Sequence, residues 1–319
     1  MEVSAKVLKV LLEKGGYVSG SELAAELGIS KPTLHRIIEY LKRLGYVIES
    51  HPRKGYRLVL TDDLAEAGTY LRDLSTKLRY SIHYIKSCIS TQDIAEALAR
   101  EGATEGTVVI AESMTSGRGR LGRSWHAGQG GLWLTILLRP PALMNLQLLS
   151  LCAGVAVARA VNDLYGVGAR LKWPNDVVVN DRKLCGILIE GRAEADKVHY
   201  VLVGIGINVN NELPEDLRTT AVTLRDLVGY PIPRIPLLKA VLRNFDYSYN
   251  LLLGGKHTEV IEMWKKLSNT LGRYVKVIAP DKIIEGYATD VTSDGALVIE
   301  TAEGERKIVY SGDVIHLRF

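Results

Sequence analysis

The sequence predicts an α+β protein in three parts: a winged helix-turn-helix over residues 1–60, a larger body of strands and helices over 61–269, and a small all-β tail over 270–319. Three observations carry this. The first sixty residues set apolar side chains at helical spacing and then close with two strand-like pieces around Pro52-Arg-Lys-Gly55. The middle holds strand-like runs at 81–89, 107–111, 132–138 and 198–203 and helical stretches at 94–100 and 148–165. The tail is a run of short strands broken at Asp294-Gly295 and Glu303-Gly304, both hairpin signals. At 319 residues the chain is long for one domain.

Residues 3–12 read as a helix ended near Gly15-Gly16, and 22–27 as a second ended by Gly28. Ser30 is a good N-cap for a third, in which Leu34, Ile37, Ile38, Leu41 and Leu44 keep the i, i+3, i+4, i+7 spacing. Short helix, glycine turn and basic-faced helix is the helix-turn-helix layout, whose second helix enters the major groove. Lys31, Thr33, His35 and Arg36 on that helix, with Arg53 and Lys54 at the wing tip, are the expected DNA contacts. The other reading is a helical unit that binds protein or caps the body. Charge favours the first. Net charge is +4, and ten basic against six acidic residues place the whole excess in the first sixty.

Cys88, Cys152 and Cys185 are spaced for neither a disulfide framework nor a zinc site. The longest apolar runs, such as 132–138, are too short to cross a bilayer, and the amino end lacks a signal-peptide pattern. The expectation is a cytoplasmic protein with reduced thiols and no membrane partner.

In the body, Thr61-Asp62-Asp63 marks a boundary and a linker helix is expected through Lys77. The strand at 81–89 ends at Ser90-Thr91-Gln92-Asp93. Ser90 or Thr91 caps the next helix, or the hydroxyls and amide hydrogen-bond a polar ligand head. Helix 148–165, rich in Ala, Val and Leu, is core. Residues 171–190 read as a hairpin turning near Asn180-Asp181, with Trp173-Pro-Asn-Asp176 interrupting its first strand. Lys183 sits on an otherwise apolar strand, and a lysine pointed into a cavity needs an anion. Gly204 and Gly206, spaced along a strand that ends at Asn208, mark close approach of a ligand or another backbone, or serve packing alone.

The body is organised around Ser116-Gly-Arg-Gly-Arg-Leu-Gly-Arg-Ser-Trp125. Three guanidinium groups are not buried without anions. Their planar forks match carboxylate and phosphate, and the glycines let backbone N–H groups approach a ligand. The segment reads as a loop closing over something with two negative groups, or as a flexible basic surface loop. Gly117, Gly119 and Gly122 have the G-x-G-x-x-G spacing, but a second glycine loop and a strand follow where the dinucleotide fingerprint needs a helix.

Gly117–Arg123, Lys172–Asp176, Arg182–Leu188 and Gly204–Asn208 resemble, in order and spacing, the four signatures of biotin–protein ligases. With the helix-turn-helix in front, the chain is similar to the bifunctional ligases that also repress biotin-synthesis genes. The resemblance implies a class II synthetase/biotin ligase-like central mixed sheet with helices and an SH3-like tail. It implies ATP, Mg²⁺ and biotin as ligands, with biotinyl-5'-AMP as intermediate and corepressor. The implied partners are a biotin carboxyl carrier protein with its acceptor lysine, operator DNA and a second copy of the chain. Lys183, Arg118, Asp176 and Lys172 are the implied catalytic set, with Asp176 a possible Mg²⁺ contact. Ser90, Thr91, Gln92, Met114, Thr115, Gly117, Arg118, Gly119, Arg120, Lys183, Gly186 and Leu188 would hold biotin. Arg118, Arg120, Arg123, Trp125, Asn175, Lys183 and Asn208 would hold ATP or the adenylate.

Two positions depart from the family pattern. Met114 stands where a glutamine usually helps hold biotin, and Gln92 where asparagine is common; Thr115 is a possible substitute for the lost contact. A biotin sensor without ligase activity and a lipoate-type ligase remain as other readings.

Overall fold

The computed structural model describes residues 2–43, 46–59, 64–141, 144–194, 197–279 and 282–317. Leu44 and Gly45, the boundary Thr61-Asp62-Asp63 and Pro280 lie outside the described residues.

The amino end is α1 (Glu2–Lys14), α2 (Gly20–Glu26), α3 (Lys31–Arg43) and the hairpin β1 (Val47–His51) with β2 (Gly55–Val59). Ser30 caps α3, its Oγ accepting the Thr33 N–H at 3.2 Å. Leu8, Leu11, Leu23, Leu34, Ile38 and Leu41 are buried together, as the 3.6-residue period requires. Backbone bonds between Val18 and Tyr56 tie the first helix pair to the wing.

The expected linker helix shrinks to one short turn, α4 (Ala67–Tyr70). Beyond it the chain runs irregularly, and the Asp246 carboxylate takes the N–H groups of Lys77 and Leu78 at 3.1 and 2.8 Å.

The body contains β3 (Ser81–Cys88), α5 (Thr91–Arg100), β4 (Thr107–Arg118), β5 (Ser124–Ala127), β6 (Leu132–Leu138) and α6 (Leu146–Tyr165). It continues with β7 (Arg170–Lys172), β8 (Asp176–Val179), β9 (Arg182–Glu194), β10 (Lys197–Ile207), α7 (Leu224–Val228), α8 (Arg234–Leu253) and α9 (His257–Leu267). The sheet is mixed. Its order is β3-β4-β6-β10-β9-β8-β7, with β5 paired to β4 and only β3–β4 parallel. Strand alternation sorts its side chains: Val109, Leu137 and Leu202 pack under α5, and Val108, Ile136, Val201 and Val203 under α6 and its neighbours. α6 has the length and apolarity of a membrane-crossing helix, which the strand runs did not reveal; 83% of that stretch is buried inside the protein.

The tail is β11 (Tyr274–Ile278), β12 (Ile283–Val291), β13 (Leu297–Glu300), β14 (Arg306–Val309) and β15 (Asp313–His316), an antiparallel sheet in the order β14-β13-β12-β11-β15. Both hairpin signals fall in its turns. Asn145 Nδ2 donates to the Asp294 carbonyl and Trp173 Nε1 to the Gly295 carbonyl, fastening the tail to the body.

Candidate active site

The expected arginine loop is half strand. β4 runs on to Arg118 and β5 starts at Ser124, so Gly117 pairs with Trp125 and Arg118 with Ser124 in a hairpin. Gly117 has no room for more than hydrogen, since a Cβ there would lie 2.6 Å from the Trp125 carbonyl. Around the tip each arginine has its own anion or carbonyl. Arg118 pairs with Asp93 at 2.7 Å and with Glu190 at 3.5 Å. Arg120 donates to Asn175 Oδ1 at 3.1 Å and to the Gly312 carbonyl at 3.5 Å, and Arg123 pairs with Asp313. Burial lowers the Arg120 pKa despite Asp313 and Asp176; for Arg118 the carboxylates outweigh burial and raise it.

The hairpin covers a cavity of about 790 Å³ on the α5 face of the sheet. One end is polar. Ser90 caps α5, its Oγ accepting the Gln92 N–H at 3.2 Å. The other hydroxyl and the amide lie inward: Thr135 Oγ1 donates to Thr91 Oγ1 at 2.8 Å, and Gln92 Nε2 donates to the Leu188 carbonyl at 3.2 Å. Gln92 Oε1 is buried with no partner, an arrangement that a ligand donor would relieve. The Met114 sulfur accepts the Thr91 N–H at 3.3 Å. Leu188 lines the apolar stretch beyond.

The glycines of β9 and β10 make the floor. A Cβ on Gly204 would meet Gln92 Nε2 at 3.0 Å, one on Gly206 would meet Trp125 Nε1 at 2.7 Å, and one on Gly186 would meet the Trp125 ring at 3.0 Å. The close approach expected of this strand is therefore to an indole and an amide.

A second cavity, about 1360 Å³, adjoins the first and shares with it Arg123, Ser124, Trp125, Asp176 and Lys183. Lys172 and Asn208 line only this one. Lys183 Nζ pairs with Asp176 Oδ1 at 2.7 Å and lies 5.3 Å from the Trp125 ring centroid. Its backbone is gripped by the Thr220 carbonyl at 2.7 Å and the Val222 N–H at 3.0 Å. Burial lowers the Lys172 pKa more than Asp176 restores, with Lys183 adding to the fall. Burial pushes the neighbouring Cys185 thiol up and makes it inert.

One expectation needs correction, and two expected contacts sit apart from the cavities. Trp173-Pro-Asn-Asp176 does not interrupt a strand; it closes the β7–β8 hairpin in which Lys172 faces Asp176, through a cis Trp173-Pro174 bond. That turn points Asn175 at the arginine hairpin while its Nδ2 donates to the Ile187 carbonyl at 2.8 Å. Thr115 is exposed and donates to the Cys88 carbonyl at 3.4 Å, because the residue after an inward Met114 projects from the opposite face. Gly117 packs against Trp125 and lines neither cavity. The remaining expected ligand contacts all line one cavity or both.

Among the described residues no three His, Cys, Asp or Glu side chains are grouped to hold a metal. Asp93, Glu190 and Asp313, the anions that hold the arginines, escaped the sequence reading; they are distant in the chain and no local pattern marks them. On the amino end, Lys31, His35, Arg36, Arg53 and Lys54 are exposed. Thr33 is half-buried at the cap, 2.9 Å from Ser30 Oγ. The Arg53 and Lys54 N–H groups both donate to His51 Nδ1 at 3.2 Å, which shapes the wing tip.

Comparison with known proteins agrees with the three parts. Residues 84–208 match the Biotin/lipoate A/B protein ligase family, residues 4–57 an HTH domain, and residues 270–317 the Biotin protein ligase C terminal domain. The chain is 35% identical over 308 residues to Bifunctional ligase/repressor BirA of Bacillus subtilis, covering 93% of each. It is 31% identical over 301 residues to the Escherichia coli protein of that name, covering 92% of this chain and 91% of that one. Among solved structures, the biotin protein ligase from Aquifex aeolicus in complex with biotin and ATP superposes with a TM-score of 0.67 at 32% identity, over 75% of this chain and 99% of that chain.

Proposed function

The chain belongs to the biotin–protein ligase family, in its bifunctional ligase/repressor form, and on that premise we propose how its residues do the work. It is an ATP-dependent ligase. A biotin carboxylate oxygen attacks the α-phosphate of ATP, pyrophosphate leaves, and biotinyl-5'-AMP results; the amine of a carrier-protein lysine then attacks the acyl carbon and AMP departs. Its helix-turn-helix makes it also a DNA-binding repressor, with the adenylate as corepressor.

The observation that carries the assignment of residues is the shared wall of the two cavities, where Lys183 stands beside Asp176 and Trp125. Biotin takes the first cavity, its polar head toward Ser90, Thr91 and Gln92 and its carboxylate toward Lys183. The nucleotide takes the second, with Asn208 as a polar contact there, Asn175 reaching it from the first cavity, and Trp125 closing over the base. Two anions repel as they meet; the ammonium groups of Lys183 and Lys172 offset that repulsion and the charge that builds on the phosphate. Arg118 and Arg123 exchange their carboxylates, and Arg120 its amide and carbonyl oxygens, for ligand anions, and the closed hairpin shields the mixed anhydride from water. Mg²⁺ fits as a companion of the triphosphate, supplying charge neutralisation, with Asp176 the one carboxylate at the shared wall paired to Lys183.

The functional units are 1–60, 61–269 and 270–319. Two copies on one operator, held by bound adenylate, would match two half-sites, and the protein works in the cytoplasm. The test is incubation with ATP, labelled biotin and a carrier domain, with pyrophosphate measured in parallel. Label on the carrier lysine is expected; its absence sinks the ligase half, and biotin binding without pyrophosphate would mark a sensor only. Gel shift and sedimentation with and without biotin plus ATP test the repressor half and the dimer, which fail together if neither responds to ligand.

A further inference from the structure

The turn between β8 and β9 rims the second cavity and carries a network that the chemistry above does not use. Asn180 and Asp181 both have left-handed backbone, φ 50° and 61°. A two-residue hairpin turn of this kind needs positive φ at both positions, which Asn and Asp tolerate. Asp181 Oδ1 accepts from Asn269 Nδ2 at 2.8 Å and from Arg273 Nη1 at 3.0 Å, and Arg273 Nη2 donates to Asn269 Oδ1 at 2.9 Å. The three side chains close a ring between the hairpin and the chain entering β11. Arg273 Nη1 is also 3.2 Å from Nδ1 of His316 at the end of β15, a ring that burial keeps neutral and able to accept.

As a contribution to stability this network is modest. The Asp181 and Arg273 side chains are 34% and 40% exposed, and pairs so solvated contribute little. Its place in the chain points elsewhere. Two residues on is Lys183, whose backbone is already held by Thr220 and Val222 and whose ammonium meets Asp176. Those contacts set where Lys183 sits on β9. The ring at Asp181 sets the tilt of the whole hairpin against the tail.

We propose that Asp181, locked by Arg273 and Asn269, is a positioning residue: the carboxy-terminal sheet holds the β8–β9 hairpin at the pitch that keeps the Lys183 ammonium on the wall between the two cavities. Rigid placement matters because a misplacement of about 1 Å costs on the order of a hundredfold in rate. The proposal rests on the reading that Lys183 serves adenylation. It assigns the tail a mechanical part in the first half-reaction.

The test uses the full-length chain with Asp181→Asn, Arg273→Ala and the double variant. Pyrophosphate release with biotin and ATP should fall about tenfold or more in kcat while KM for biotin moves less than about twofold. The double variant should be no slower than the slower single, since both break one ring. A second measurement does not depend on turnover: trace acylation of Lys183 by acetic anhydride, read by peptide mass spectrometry, should rise severalfold in both singles. Wild-type kcat with unchanged Lys183 labelling, or rate losses that match the loss of folded protein by circular dichroism, would overturn the proposal. If the wild-type chain itself releases no pyrophosphate, the adenylation reading fails, and the labelling alone decides whether Asp181 positions Lys183.

Discussion

Replacing Lys183 by alanine should separate rate from stability. The Lys183 and Asp176 side chains are 34% and 22% exposed, but the Asp176 Oδ1 that meets the ammonium is buried, so losing the pair costs about 1–2 kcal/mol. At roughly 2–4 °C per kcal/mol for a large domain, Tm should drop by no more than about 8 °C. The rate should respond on another scale. A charge-stabilising donor removed from a reacting centre costs about 2.7–4 kcal/mol, a fall of about 10²–10³. Single-turnover pyrophosphate release, with saturating biotin and ATP and no carrier, reads the first half-reaction alone. A rate within tenfold of wild type would remove Lys183 from the chemistry. A Tm loss beyond about 10 °C would mean that the ammonium holds up the fold instead.

Three further expectations follow from particular contacts. Met114→Gln places an amide where a sulfur now accepts the Thr91 N–H, and one added hydrogen bond to a buried polar head should tighten biotin by about 1–3 kcal/mol in calorimetry; unchanged binding would put the polar head elsewhere. Gly206→Ala puts a Cβ 2.7 Å from Trp125 Nε1, so the indole must shift; KM for ATP should rise and tryptophan fluorescence change, and an unaltered KM would separate Trp125 from the nucleotide. His316 is pushed from 6.5 down to about 4, chiefly by burial. The unfolded chain therefore takes up the proton first, so its stabilising effect is complete above pH 6.5 and is lost as pH falls toward 4. At pH 5 the loss is about 2 kcal/mol, and His316→Gln should remove that part of the acid slope in denaturant titrations; parallel slopes for both proteins would refute it.

Legibility in the sequence tracked how local the cause was. Ser30 as a cap, the apolar stripe of α3, and the turns at Asp294-Gly295 and Glu303-Gly304 are dictated within a few residues, and they stand as read. The end of the expected linker helix depends on a partner remote in sequence, since Asp246 takes the N–H groups of Lys77 and Leu78. The Trp173–Asp176 stretch has the composition of a broken strand, yet in the sheet it closes a hairpin that sets Lys172 opposite Asp176. At the site, the cations were legible because arginine and lysine without local partners are conspicuous. The anions that hold them were not: Asp93, Glu190 and Asp313 look like ordinary surface carboxylates until the fold brings them to Arg118 and Arg123. Thr115, expected as a substitute for the amide absent at Met114, is turned to solvent by strand alternation.

The central claim is that cationic groups from separate segments let a vitamin acid and a nucleoside triphosphate react at one shared wall. Incubating the protein with biotin and α-labelled ATP, in the absence of any carrier, tests it most directly. The account predicts one labelled biotinyl-5'-AMP retained per chain, with an equal amount of pyrophosphate released. Label recovered only as unreacted ATP, or shed as free AMP with no acyl adduct, would contradict it.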